Sequence, residues 1–131
     1  MESIKLTKTF AVKPKVIYTA WLNSKGHSKM TGSKAKINPK VNSGFIAWDG
    51  YISGKTTELK TDKKIVQKWR TTEFPEHAQD SLLEVKLSPV QSGTKLTIEH
   101  KNIPDGQAES YKKGWKDFYF KPMEKYFNSK K

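Results

Sequence analysis

The sequence contains no cysteine among its 131 residues. This absence excludes a disulfide framework, a catalytic thiolate and thiolate ligands for a metal, and it fits a reducing compartment. Long apolar runs are also missing. The first ten residues mix apolar and polar side chains, unlike a secretion signal, and no later stretch is long enough to span a membrane. We therefore expect a cytoplasmic protein without a membrane segment.

Arginine is nearly absent, because Arg70 is the only one and the remaining 24 basic residues are scattered lysines. The formal net charge is +12. Specific reading of base edges favours the forked guanidinium group, so the composition argues against sequence-specific nucleic-acid binding. A solvated lysine-rich surface, an acidic protein partner and non-specific nucleic-acid contact remain as explanations of the charge.

Motifs of catalysis and metal binding are missing as well. His27, His77 and His100 have no metal-ligand spacing, and there is no phosphate-binding glycine loop, nucleophile elbow or Ser-His-Asp pattern. We predict no catalytic residue, no metal, no cofactor and no enzymatic activity. His27 and His77 lie in polar stretches and are expected to be solvated. His100 lies in a predicted strand, in register with the apolar Leu96 and Ile98, and is therefore expected to point inward.

The strongest positive feature is a helical pattern from Gln107 to Phe127. Apolar residues recur there at steps of three and four, which predicts a helix of about twenty residues with one apolar stripe. Asp105 precedes the stripe and is a candidate helix cap, and Pro122 predicts a kink or a loosened last turn. The stripe consists of Ala108, Tyr111, Trp115, Phe118, Tyr119, Met123 and Phe127.

The N-terminal third predicts one strand followed by two short helices. Residues 4–10 alternate between apolar and polar side chains, as in a half-buried strand. Pro14 suits the first position of a helix, and Ser24 is a candidate cap for a second one. Thr31 to Asn42 is polar and lysine-rich, which is typical of a connection.

The middle of the chain predicts about five antiparallel strands. Asp49-Gly50 between two β-rich runs indicates a tight hairpin, and Ser92-Gly93 marks a later turn. Connections between neighbouring strands are short, so the strands should form a meander that curves around the terminal helix. With the first strand this gives an α+β fold of about six strands, and we predict one domain over residues 1–131.

An ordered set of residues across the chain resembles the family of activator-of-heat-shock-90-ATPase homologues, in the START-like, helix-grip superfamily. The resemblance implies a curved antiparallel sheet wrapped around a long C-terminal helix, and a stand-alone domain like the C-terminal type of the activator. It also implies a heat-shock-90-type chaperone as a partner. The residues that carry it are Ser43-Gly44-Phe45, Trp48-Asp49-Gly50, Ile52, Gly54, Glu58-Leu59, Ile65-Val66, Trp69-Arg70, Gly93-Thr94, Leu96, Ile103-Pro104, Gly114-Trp115, Phe120 and Met123.

The space between sheet and helix is the predicted binding site. Either a solid core or an apolar cavity for a small aromatic or fatty molecule can fill it. We therefore expect a non-enzymatic monomeric binding domain, either a co-chaperone-like module or a carrier or sensor of a small hydrophobic ligand. The candidate cavity residues are Trp69, Leu83, Val85, Leu87, Leu96, Ile98, His100, Trp115, Phe118 and Met123.

Overall fold

The computed structural model describes residues 1–128, so the last three residues of the predicted domain lie outside it. The strands are Glu2–Phe10 (β1), Gly44–Ala47 (β2), Ile52–Lys60 (β3), Lys64–Thr71 (β4), Ser81–Val90 (β5) and Gly93–Ile103 (β6). The helices are Pro14–Trp21 (α1), Ser24–Thr31 (α2), Ala108–Gly114 (α3) and Lys121–Asn128 (α4), with a π-helical segment, Trp115–Phe120, between α3 and α4. We call α3, the π-helical segment and α4 together the C-terminal helix.

The six strands form one antiparallel sheet in the order β1-β6-β5-β4-β3-β2. Strands β2 to β6 are a meander, and β1 joins the far side of β6. The C-terminal helix packs against one face of this sheet. The predicted α+β helix-grip fold is therefore confirmed, including the two short helices after the first strand.

The core lies between the sheet and the C-terminal helix. Strands β5 and β6 alternate buried and partly exposed positions, as the period-two pattern predicts, because only one face of the sheet is covered. At the opposite end of the sheet, Gly54 allows a close approach between strands. A side chain there would meet the Lys68 carbonyl oxygen at 1.8 Å and the Phe45 ring at 2.7 Å.

The hairpin after β2 differs from the predicted two-residue turn. Ala47 pairs with Ile52, so the loop contains four residues, and Trp48 does not belong to the strand. Asp49 and Gly50 have the expected positive φ angles of 55° and 96°, but Trp48 also has a φ of 52°. Three successive left-handed residues make a wider loop, which carries the Trp48 ring toward the C-terminal helix.

The C-terminal helix is not a regular α-helix. It widens in the π-helical segment, where the Lys121 amide donates to the Lys116 carbonyl five residues earlier. The irregularity lies before Pro122 rather than at it, because proline lacks the amide that a regular helix would require. The wider turn also rotates residues away from 3.6-residue spacing. The prediction that Phe118 belongs to the buried stripe is therefore wrong, and Phe118 is 57% exposed.

Two predicted helix caps are also wrong. Asp105 binds the N-terminal ammonium at 2.6 Å, and the Glu2 carboxylate instead accepts the Ala108 amide at 3.0 Å. The second helix is capped by Asn23, whose side chain accepts the Gly26 amide at 2.9 Å. Across residues 1–128, no helix combines the length and apolarity needed to cross a bilayer.

Candidate functional site

An open groove lies between the C-terminal helix and the loop after β2. We call it the aromatic groove, and its volume is about 300 Å³. No residue that lines it is an acid, a lysine or an arginine. The lining consists of Trp48, Tyr51, Ile52, Trp69, Ser110, Tyr111, Gly114, Trp115, Phe118 and Tyr119.

Packed aromatic rings form the buried floor of the groove. Trp115 lies 5.7 Å from Trp69 of β4 and 4.7 Å from Tyr119, measured between ring centroids. Behind them, Trp21 of α1 stacks on both Trp115 and Tyr119. Because these rings brace one another from three separate elements, the floor has a fixed shape.

The residues that form the rim of the groove are partly exposed to solvent. Trp48 meets Phe118 edge to face at a centroid distance of 5.5 Å, which places the loop against the helix. Gly114 supplies empty space on the helix side, since a Cβ atom there would have Phe118 as its nearest neighbour, at 3.9 Å. The φ of Gly114 is −60°, an ordinary helical value. Glycine therefore contributes empty space at this position rather than a special backbone conformation.

The Trp48 indole N–H is an exception among the polar groups of this region. Its Nε1 is the one buried side-chain nitrogen or oxygen within residues 1–128 that has no hydrogen-bond partner. Burial raises the pKa of Tyr119, and the nearby Trp48 indole opposes part of that rise. The contact nevertheless falls short of hydrogen-bond geometry, so the donor is left unsatisfied.

His100 lies behind the floor with both ring nitrogens occupied. Trp115 Nε1 donates to Nδ1 at 3.2 Å, so the proton of the neutral ring is on Nε2. Nε2 donates to the Ser81 hydroxyl at 2.7 Å, and that hydroxyl donates to the Trp69 carbonyl. Burial lowers the His100 pKa to about 3. The imidazole is therefore neutral near pH 7, and its partners hold it in one tautomer.

His27 is buried as well, which corrects the expectation that it is solvated. It shares a face of α2 with the buried Met30 and Thr31. Nδ1 must donate to the Trp21 carbonyl at 2.9 Å, so Nε2 accepts the Tyr119 hydroxyl at 2.8 Å. Burial lowers the His27 pKa to about 4. The surrounding sequence is polar, but the helical spacing of these three residues pointed to an inward face.

A hydrogen-bonded cluster closes one end of the groove. The Tyr111 hydroxyl donates to Gln107 at 2.6 Å and contacts the Thr71 hydroxyl at 2.7 Å. Tyr51 donates to Glu73, and Gln107 also donates to the Glu73 carbonyl at 3.0 Å. Burial raises the pKa of both tyrosines, with hydrogen bonding to Glu73 adding to the rise at Tyr51. These hydroxyls are thus engaged with the protein and protonated at neutral pH.

The ten predicted cavity residues separate into two groups. Trp69, Trp115 and Phe118 line the aromatic groove. The other seven are buried in the core and are not part of its lining: Leu83, Val85, Leu87, Leu96, Ile98, His100 and Met123. The assignment of any of them to ligand binding stays a prediction.

Sequence reasoning missed most of the rim. The two β-rich runs around Asp49-Gly50 include Trp48 and Tyr51, and the pattern predicts them as strand residues beside a turn. Their aromatic character on both sides of the turn is the signal that could have identified them. Gly114 lies inside a helical pattern, where glycine is unfavourable and often marks a need for space.

A second groove lies on the opposite flank of the C-terminal helix, against the edge strand β1. We call it the lysine groove, and its volume is about 390 Å³. Its lining is Lys5, Leu6, Thr7, Lys8, Lys112, Lys116, Phe120, Lys121 and Glu124. Ion pairs join Lys8 to Glu124 at 2.9 Å and Lys121 to Asp117 at 3.1 Å. Lys112 and Lys116 make no ion pair with the described part of the chain, which leaves this surface positive.

A curved antiparallel sheet gripping a C-terminal helix defines a helix-grip protein, and an open groove lies beside that helix. Residues 11–128 match the family described as activator of Hsp90 ATPase homolog 1-like protein, and the chain belongs to this family. The resemblance noted from the sequence is thereby confirmed.

Individual relatives agree with this assignment. The human activator of 90 kDa heat shock protein ATPase homolog 1 is 27% identical over 124 residues, covering 95% of this chain and 36% of the relative. The chain thus spans about a third of that protein's length. A crystal structure of an HSP90 activator from Plasmodium falciparum has 29% identity and a TM-score of 0.86, covering 95% of this chain and 94% of that one. The Aha1 dimer from Colwellia psychrerythraea, at 18% identity and a TM-score of 0.78, shares the fold.

Proposed function

We propose that this chain is a non-enzymatic binding domain that engages a heat-shock-90-type chaperone. Family membership over residues 11–128 is the observation that carries the proposal. The Plasmodium falciparum structure supports it, because a protein described as an HSP90 activator matches this chain along nearly its whole length. The monomeric state and the cytoplasmic location stay predictions.

The lysine groove is the surface that we assign to the chaperone. Five ammonium groups and one carboxylate line it, and Lys112 and Lys116 lie free of ion pairs in the described structure. A positive surface of this kind attracts an acidic partner and increases the association rate more than the lifetime of the complex. The contact should therefore be weak and should weaken further with salt.

Charge removal on matched helices tests this assignment. The variant Lys112→Gln/Lys116→Gln removes two charges from the lysine groove, and Lys25→Gln/Lys29→Gln removes two exposed charges at the same spacing on α2. Binding and ATPase stimulation are measured with a purified heat-shock-90 chaperone. We expect the first variant to lower the association rate severalfold and the second to match the unaltered protein.

Two results would contradict the assignment in different ways. If the unaltered protein neither binds the chaperone nor changes its ATPase rate, the co-chaperone function fails. If it binds and both double variants weaken binding equally, only general surface charge matters and the lysine groove is not the contact.

The aromatic groove supports a second candidate function, that of a carrier or sensor of a small hydrophobic molecule. Its volume of about 300 Å³ lies at the lower end of the range for small-molecule sites, and its walls are mostly apolar rings. Trp48, Trp69 and Trp115 line it, so binding should change tryptophan fluorescence.

Filling the groove from the helix side tests the carrier function. The probe is the neutral fluorescent dye N-phenyl-1-naphthylamine, and the variant is Gly114→Leu, which places a side chain in the open space beside Phe118. We expect the unaltered protein to bind the probe and the variant to lose most of that binding. Absence of probe binding by the folded unaltered protein would count against the carrier function.

A further inference from the structure

The Trp48 indole carries the one unsatisfied buried polar side-chain atom of residues 1–128, and Trp48 lines the aromatic groove. We infer that the groove binds a neutral, planar aromatic molecule whose hydrogen-bond acceptor, such as a ketone oxygen, takes the proton of Trp48 Nε1. This inference rests on the carrier function proposed above and adds the chemical class of the ligand. It is independent of the chaperone contact.

The first step concerns the unsatisfied donor. A buried N–H without a partner is costly in a folded protein, and Trp48 Nε1 is the sole case among the described side chains. The Tyr119 hydroxyl already donates to His27 and makes no hydrogen bond with Trp48. Trp48 lines the groove as a partly exposed residue, although its Nε1 is covered in this structure. A ligand that shifts the indole ring and brings an acceptor beside it can therefore satisfy the N–H.

The second step concerns the charge of the ligand. No lysine or arginine lines the aromatic groove, and the tyrosine hydroxyls at its end and floor donate to Gln107, Glu73 and His27. A carboxylate placed there would lose its hydration without gaining a cation, which is unfavourable. The groove therefore selects against fatty acids and favours neutral molecules.

The third step concerns shape. Trp115, Trp69 and Tyr119 present rings on the floor, and Trp48 and Phe118 stand edge to face at the rim. Ring faces and edges prefer another aromatic ring over a flexible alkyl chain, because the quadrupoles are complementary. A volume of about 300 Å³ suits a molecule of two or three fused rings.

Two probes of matched shape test the inference. 1-Acetylnaphthalene carries a ketone acceptor, and 1-ethylnaphthalene has nearly the same shape without one; decanoate represents a fatty acid. Each is titrated into the 15N-labelled 131-residue chain while the four indole N–H signals are followed, and loss of one signal in Trp48→Phe assigns Trp48. We expect the ketone to bind about tenfold more tightly than the hydrocarbon and to move the Trp48 signal downfield. Decanoate should not bind measurably.

The variants separate the possible outcomes. Trp48→Phe keeps a ring but removes the donor, so the two naphthalenes should bind it equally. Gly114→Leu should weaken both. If the naphthalenes bind the unaltered protein equally and Gly114→Leu blocks both, the ligand class is overturned while the carrier function stands. If neither binds, the carrier function and this inference both fail, and the chaperone contact is unaffected.

Discussion

The two grooves lie on opposite flanks of the same helix and differ in chemistry. The aromatic groove has no acid, lysine or arginine in its lining, whereas five lysines line the lysine groove. The first is organised from beneath by buried rings and neutral histidines, and the second consists mainly of side chains that reach into water. The comparison teaches that one helix can border a groove with a rigid aromatic floor on one side and an adaptable charged surface on the other.

Adjacent residues of the helix allow the sharpest test of this difference. Trp115 forms the floor of the aromatic groove and Trp115 Nε1 bonds His100, whereas Lys116 is exposed in the lysine groove. We expect Trp115→Ala to lower the free energy of unfolding by about 3–5 kcal/mol. Lys116→Ala should change it by about 0.5 kcal/mol or less. Urea denaturation measures both, and comparable losses would show that the two flanks are equally organised.

As the pH falls, the buried histidines beneath the aromatic groove should destabilise the fold before the surface ion pairs are affected. The pKa values of His27 and His100 are lowered by burial to about 4 and about 3, from an ordinary value of 6.5. Between pH 7 and pH 5 the unfolded chain therefore takes up protons that the folded chain excludes. The free energy of unfolding should fall by about 2 kcal/mol for each of these histidines.

Urea denaturation at pH 7, 6 and 5 measures the fall. Lysines hold the pKa of some carboxylates low, as Lys86 does for Glu99. The contribution of these carboxylates to the free energy of unfolding is therefore lost only at a pH lower than this range. Replacing the exposed His77 by Gln is the control and should leave the profile unchanged. A stability that stays constant from pH 7 to pH 5 would show that the buried rings accept protons in the folded state.

Added volume distinguishes the open groove from the solid core beneath it. Val85 is fully buried, so Val85→Trp should lower the free energy of unfolding by about 1–3 kcal/mol or more. Gly114→Ala should raise it by up to about 1 kcal/mol, because the backbone there is helical and, apart from adjacent residues and the helix's own nearby backbone, no atom lies closer than 3.9 Å to the new methyl group. Thermal unfolding of both variants tests the contrast. A destabilised Gly114→Ala protein would mean that the space is not free.

The fold could be predicted from local patterns to a large extent. Period-two alternation located β5 and β6, since only one face of each strand is covered, and short turns predicted the meander. The errors lie where tertiary contacts outweigh local preference. Asp105 has the chemistry of a cap, but the N-terminal ammonium binds it and Glu2 takes over the capping role.

The candidate site was predictable only in part. Trp69 and Trp115 belong to strong patterns and line the aromatic groove, but seven other candidates fill the core instead. Alternation shows which face of a strand is covered and does not show whether a side chain or an empty space covers it. That distinction depends on the distance between sheet and helix, which no local pattern contains.

By itself, the sequence determined the helix-grip architecture, the inward direction of His100 and the excess of positive charge, because periodicity and composition are properties of the chain. The tertiary structure alone decided where the grooves lie and that Trp48 Nε1 is left without a partner. Those features arise when the loop after β2 meets a widened π-helical turn nearly seventy residues later. Contacts between distant segments, and the space left between them, are consequences of packing rather than of local sequence.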